Sequence, residues 1–179
     1  MAATVGAGTD GGPIMDDIAR RLRRLESILE IQQLMYTYAE CVDLARFEAL
    51  GELFAHGTLG AAGGGGAMRG AAQIAAFYGA TNKVHEDGTL RTRHLSTNAM
   101  VHIDPSGATA SARSYFVVLQ ATAEVPLQPI VAGRYHDRFA LVDAAWTFAA
   151  RVIHVDQIGD MHDHLSFDLR TDPVPRVQP

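Results

Sequence analysis

The stretch RRLESILEIQQLMYTYAECVD, residues Arg23 to Asp43, decides the fold. Ile28, Ile31, Met35, Tyr38 and Val42 recur in it at helical spacing, and upstream Ile18, Leu22, Leu25 and Leu29 repeat at intervals of three and four. That period marks an amphipathic helix with an apolar stripe. Asp16 and Asp17 stand near its start, where carboxylates suit the positive end of the helix dipole. One long helix is therefore predicted from about Asp17 to Asp43, with its stripe packed against the rest of the chain. A short helix around Phe47 to Phe54 and a third from about Ala71 to Tyr78 follow. Residues 57–70 between them are glycine-dense. No Lys-Ser/Thr pair follows the run Gly63 to Gly66, so it is not a phosphate loop and reads as a turn or a strand edge.

From residue 90 the pattern changes to strands, roughly Arg93 to Ile103, Thr109 to Thr122, Ile130 to Val142 and Trp146 to Val155. Asp104-Pro105-Ser106-Gly107 and Asp143-Ala144-Ala145 supply the tight connections. Helices first and a strand meander afterwards indicate an α+β fold, a curled, mostly antiparallel sheet with three N-terminal helices enclosing a pocket. The Gly- and Ala-rich residues 1–13 read as a disordered extension. The domain proper is expected over 14–158, with a polar C-terminal tail over 159–179 whose Asp172-Pro173-Val174-Pro175 argues against regular structure.

A chain of 179 residues suits one domain, large enough to bury a core without staples. Its net charge of −5 argues against nucleic acid, which needs a basic face. Arg20, Arg21, Arg23 and Arg24 cluster at helical spacing and read as one solvated face. The single cysteine, Cys41, allows no internal disulfide and reads as a small buried hydrophobe. The N-terminus lacks the marks of a secretory signal, and no stretch approaches the length of a membrane span. A soluble cytoplasmic protein that binds no membrane is the expectation.

The segments RRLESILEIQQLMYTYAECVD, FEALGELFAHG, RTRHLSTN, AGRYHDRF and AAWTFAARVIHVD, in that order and spacing, resemble the SnoaL-like branch of the nuclear-transport-factor-2-like superfamily. The resemblance implies a cone of curved sheet and three helices, and a homodimer or homotrimer. Strands apolar on both faces, such as Tyr115 to Leu119, suit such an assembly. The superfamily includes scytalone dehydratase, bile acid dehydratases, hexachlorocyclohexane dehydrochlorinase, polyketide cyclases and ketosteroid isomerases, and also the non-catalytic β-subunits of ring-hydroxylating dioxygenases. The nearest local likeness is to the dehydratase and dehydrochlorinase members, which implies catalytic roles for Asp43 at the helix end and His94 at a strand start. The bile acid dehydratases' tyrosine maps to Tyr38, and the dehydrochlorinase's arginine to Arg151. The segment GTLGAAGGGGAM departs from the pattern by supplying no aromatic side chain.

Elimination needs a base, and histidine titrates near neutrality. An ionised Asp43 accepting the other ring N–H would fix the tautomer of His94 and balance the imidazolium. Tyr38 could donate to a carbonyl or departing hydroxyl, although helix geometry alone favours Tyr36, since residues five apart point about 140° away from each other. Strand alternation puts Arg151 with Thr147, Ala149, Ile153 and Val155, opposite Trp146, Phe148, Ala150, Val152 and His154. A buried arginine needs a partner, and Asp43 is a candidate. Ile153 and Val155, together with Asn98 on the His94 face, are the expected pocket lining. The plainer readings are an Asp43 that caps the next helix and a His94 bonded to backbone. Arg134, His136 and Arg138 share one face of their strand. His162 and His164 with Asp160 and Asp163 form no regular metal motif. The reading is a lyase of the dehydratase type acting on an apolar cyclic molecule, with no cofactor or metal. The alternatives are an accessory binding subunit and an isomerase or polyketide cyclase built on the same pocket.

Overall fold

The structure, a computed structural model, describes residues 12–64, 66–172 and 175. Most of the extension read as disordered, up to Gly11, lies outside the described residues. Its last two residues, Gly12 and Pro13, begin the first helix, where a proline costs nothing because the first-turn N–H groups have no partner in any case.

Three helices, α1 (Gly12–Asp43), α2 (Phe47–Glu52) and α3 (Gly70–Thr81), accompany six strands. The strands are β1 (Thr58–Ala61), β2 (Met68–Arg69), β3 (Thr92–Ile103), β4 (Thr109–Gln120), β5 (Gln128–Val142) and β6 (Ala145–Ile158). They lie side by side in the order β2-β1-β6-β5-β4-β3. Every pairing is antiparallel except that of β1 with β6. The glycine-dense segment therefore forms β1 and β2 at one edge of the sheet. Asp143 and Ala144 make the β5–β6 turn with φ of 48° and 64°, the handedness that matches strand twist.

The two apolar sets of α1 separate. Ile31, Met35, Tyr38 and Val42 are buried against the sheet and α2, while Ile18, Leu22, Leu25 and Leu29 are 50–65% exposed. The expected single packed stripe is corrected here. At 3.6 residues per turn Leu29 and Ile31 point roughly 160° apart, and the N-terminal two thirds of the helix runs past the body, with residues 12–30 exposed or half-buried.

Bulges bend the long strands and re-aim their side chains. In β6 the pairing jumps from Arg138↔Ala150 to Phe139↔Phe148, which leaves Ala149 as the extra residue. Trp146, Phe148 and Arg151 consequently all face the core, which corrects the strict alternation expected for this strand. In β3 the register shifts between Thr97 and Met100, and Asn98 takes a left-handed φ of 53°. Aromatic rings fill the interior: Phe54 stacks on Phe148 and Phe116 on Tyr135, at centroid separations of 4.6 and 4.4 Å.

Beyond β6 the described residues form no helix or named strand, as the composition implies, yet they are anchored. Lys83 N–H donates to the His164 carbonyl and Ser166 N–H to that of Thr81, both at 2.9 Å. Gln120 Nε2 donates to the Asp163 carbonyl at 3.1 Å and Thr122 Oγ1 to the Asp163 carboxylate at 2.8 Å. Arg170 Nη2 donates to the carbonyls of Ile158 and Gly159. The segment is thereby laid across the ends of α3 and β4.

Candidate functional site

Asp43 is the last residue of α1, an unfavourable end of the helix dipole for a carboxylate. It is held there by β3. Thr92 Oγ1 donates to Oδ1 at 2.6 Å, the His94 backbone N–H to Oδ2 at 2.9 Å, and the His94 ring pairs through Nδ1 with Oδ1 at 2.6 Å. Burial pushes the carboxyl up. The His94 hydrogen bond, the imidazole's charge and the Thr92 hydroxyl outweigh it and leave Asp43 below the usual carboxylate range. An ionised Asp43 can only accept, so Nδ1 of His94 carries the hydrogen and Nε2 is the basic nitrogen. The helix-cap reading of Asp43 fails, because α2 begins after Arg46 with no side-chain cap. The reading of His94 as backbone-bonded fails with it, since the ring's partner is the carboxylate.

His94 forms part of the wall of a pocket of about 150 Å³, whose lining includes Tyr38, Tyr78, Phe116, Tyr135, Ile153 and Val155. Most of that lining is apolar, and the polar groups converge on a few points. Tyr38 and Tyr78 share a hydrogen bond between their hydroxyls at 2.6 Å. Only one of the two hydrogens can lie between the oxygens, so the other is free to be given to a ligand. Burial raises the pKa of Tyr38, and of Tyr78 and Tyr135 more strongly, which keeps all three phenols protonated. Tyr36, the residue that helix geometry preferred, is 46% exposed and borders a separate cleft on the outer side of Asp43. Tyr38 and Asp43 do not touch; both reach the pocket region from different sides of α1, Asp43 through His94.

Two expected site residues lie elsewhere. Arg151 is fully buried, but its partner is Asp137, met by Nε at 2.8 Å and Nη2 at 2.7 Å. Its guanidinium sits 4.1 Å from the ring centres of both Tyr38 and Tyr135. The arginine is thus a core ion pair beneath the pocket floor rather than a partner of Asp43, because Asp137 stands directly opposite it on β5, on the same face of the sheet. Asn98 does not share the face of His94. The β3 bulge turns it outward to a cleft with Met100, Arg113, Tyr115, Arg134 and His136.

Sequence reasoning weighed His164 only as a metal ligand and missed its place in the pocket. Its ring stands 6.3 Å from that of His94 and lines the same pocket. Its Nδ1 is buried without a hydrogen-bond partner. Burial, then the neighbouring charge of His94, lowers its pKa to about 3, so the ring is neutral at physiological pH. The signal was present: Leu165, Phe167 and Leu169 alternate with polar residues beside it, as in a chain lying on an apolar surface, and all three line the pocket. Among the described residues no group of three or more His, Cys, Asp or Glu side chains could hold a metal ion, and no helix is long and apolar enough to cross a membrane.

The family model of the SnoaL-like domain matches residues 23–152. The chain belongs to the SnoaL-like family. A search of curated proteins finds no match to it. Among solved structures, this SnoaL-like chain is similar to a nuclear-transport-factor-2-like protein with a cystatin-like fold from Novosphingobium aromaticivorans. The two are 25% identical with a TM-score of 0.66, over 83% of this chain and 92% of that one. It is similar also to a protein of unknown function from Mycobacterium tuberculosis, at 26% identity and a TM-score of 0.64, over 83% and 79% of the two chains. A candidate scytalone dehydratase from Novosphingobium aromaticivorans shares the fold at 21% identity, with a TM-score of 0.63 and coverage of 87% and 98%.

Proposed function

We propose that this SnoaL-like chain is a cofactor-independent lyase that eliminates water from an apolar cyclic small molecule. The observation that supports it most is the Asp43–His94 pair at 2.6 Å with the imidazole on the wall of an apolar pocket. In the proposed step, Nε2 of His94 takes a proton from a carbon next to the one bearing the hydroxyl. The C–H electron pair forms the new C=C bond as the C–O bond breaks. The oxygen leaves as water, taking its second hydrogen from the free phenol hydrogen of the Tyr38–Tyr78 pair or from the imidazolium. Asp43 stabilises the imidazolium and holds the ring in place. The apolar wall binds the carbon skeleton and strengthens these polar contacts by excluding water.

The test is a panel of cyclic alcohols and hydroxy-ketones, with loss of one water followed by mass spectrometry. His94→Gln is expected to slow the reaction by about 10²- to 10⁴-fold, the usual contribution of a positioned base, while the thermal midpoint stays near that of the wild type. Full activity in His94→Gln would remove His94 as the base. Tight retention of a ligand without any turnover would favour the accessory binding subunit.

A further inference from the structure

The N-terminal part of α1 presents Met15, Ile18, Leu22, Leu25, Leu29 and Tyr36 to solvent, each 46–65% exposed. Their intervals, with Gln32 in the one remaining place, are three, four, three, four, three and four. That is a heptad seam, with Met15, Leu22, Leu29 and Tyr36 in one register position and Ile18, Leu25 and Gln32 in the other. The seam points away from the core face of the same helix, and nothing among the described residues covers it. A free helix of about this length is marginal in water, so a straight α1 this far from the body needs a partner along the seam.

We infer that a second copy of this chain supplies it, the two α1 helices pairing in parallel and in register as a short coiled coil. Charge supports the parallel choice. Arg21 and Glu26 flank the seam on opposite sides, five residues apart, which is the spacing at which a flanking residue of one helix meets the next flanking residue of its parallel partner. Neither has an ion-pair partner within its own chain among the described residues. A lipid surface fits less well. The seam is a narrow stripe, and its flanks mix Asp16, Asp17, Glu26 and Glu30 with the arginines, whereas an interfacial helix carries a broad apolar face and a basic polar one. The chain's first eleven residues, MAATVGAGTDG, offer only Met1 and Val5 as larger apolar side chains, too few to cover six.

Light scattering on the full chain at micromolar concentration tests this. The wild type is expected to associate, and Leu22→Glu with Leu25→Glu to weaken association at least a hundredfold, with a loss of helical circular dichroism no larger than the N-terminal part of α1 accounts for and the cooperative thermal transition of the body retained. Arg21→Glu should weaken it, and adding Glu26→Arg should restore it. Leu25→Cys should cross-link to itself on mild oxidation, since parallel in-register seams bring the two positions to one layer. A wild type of 19.3 kDa, or association unchanged by the paired glutamates, overturns the proposal. Cross-linking only between Leu22→Cys and Leu25→Cys chains overturns its parallel register. Binding to phosphatidylserine vesicles that the glutamates abolish, with the mass unaltered, assigns the seam to lipid instead.

Discussion

The imidazole rings of His94 and His164 stand 6.3 Å apart, tilted 58° to each other, on one wall of the pocket. The Asp43 carboxylate bonds Nδ1 of the first, whereas Nδ1 of the second is buried with no hydrogen-bond partner among the described residues. His94 thus has a carboxylate partner for its ring nitrogen, whereas burial penalises a proton on His164. In the proposed elimination the two histidines have different parts, His94 as the base and His164 as a neutral polar group.

His164 should make stability depend on pH in a particular window. Unfolded, a histidine binds a proton below about pH 6.5, whereas folded His164 does so only near pH 3. Between those values the unfolded chain holds more protons. Stability should thus fall as pH is lowered, by up to about 1.4 kcal/mol per pH unit from this residue. Thermal midpoints at pH 7, 6 and 5 should decline in the wild type and decline less steeply in His164→Leu. Asp43 acts lower down. Its depressed pKa gives stability that is present above about pH 4 and lost as pH falls below that.

Thr92 and Asp43 allow a graded test of the base. Asp43→Asn puts an amide among three donors, so it should both destabilise the fold by about 1–3 kcal/mol and cut turnover by about 10²-fold or more. Thr92→Val removes one of those donors and leaves the ring contact. It should cost about 1 kcal/mol and only a few-fold in rate. Equal losses of rate in the two variants would show that the carboxylate's position, and not its charge, governs His94.

Arg151 should behave as a structural residue. Removing one member of a buried ion pair strands the other, at about 3–5 kcal/mol, so Arg151→Met and Asp137→Leu should each unfold at much lower urea. The double variant should recover part of the loss. Rate per folded molecule should change little in the double variant; a collapse there with stability recovered would return Arg151 to the catalytic site.

Gly133 faces the β6 backbone so closely that a Cβ would overlap the His154 carbonyl oxygen and press on the Phe116 ring. Gly133→Ala is expected to cost about 3 kcal/mol by overpacking, measured as a shift in the urea midpoint at constant slope.

The element order was legible because helical and strand periods differ and the turns at Asp104–Gly107 and Asp143–Ala145 are strongly marked. The Asp43–His94 pair was legible only through likeness to a family, since no local pattern says that a helix end will meet a strand start 51 residues on. Arg151 kept its expected face but took the cross-strand partner Asp137, which no pattern within β6 reveals, while Asn98 was misplaced by a bulge. A bulge inserts one residue and exchanges the faces of everything beyond it, and neither Ala149 nor Asn98 announces a bulge by its chemistry. The exposed half of α1 was hidden because period reveals a stripe but not what it packs on. His164 was weighed only as a metal ligand, and the alternation of Leu165, Phe167 and Leu169 that marks its segment as lying on an apolar surface was not used.

The strap from Asp160 to Leu169 has a kinetic consequence. It walls the pocket through His164, Leu165, Phe167 and Leu169, and what fastens it is a set of hydrogen bonds to Ala80, Thr81, Lys83, His85, Gln120 and Thr122. A guest held behind it would depart when the strap peels away, so the dwell time is a property of local unfolding rather than of the fit between guest and cavity. Loosening the strap at Thr122, which bonds Asp163 and not the His94 ring, should hasten release while leaving the proposed step at His94 unchanged.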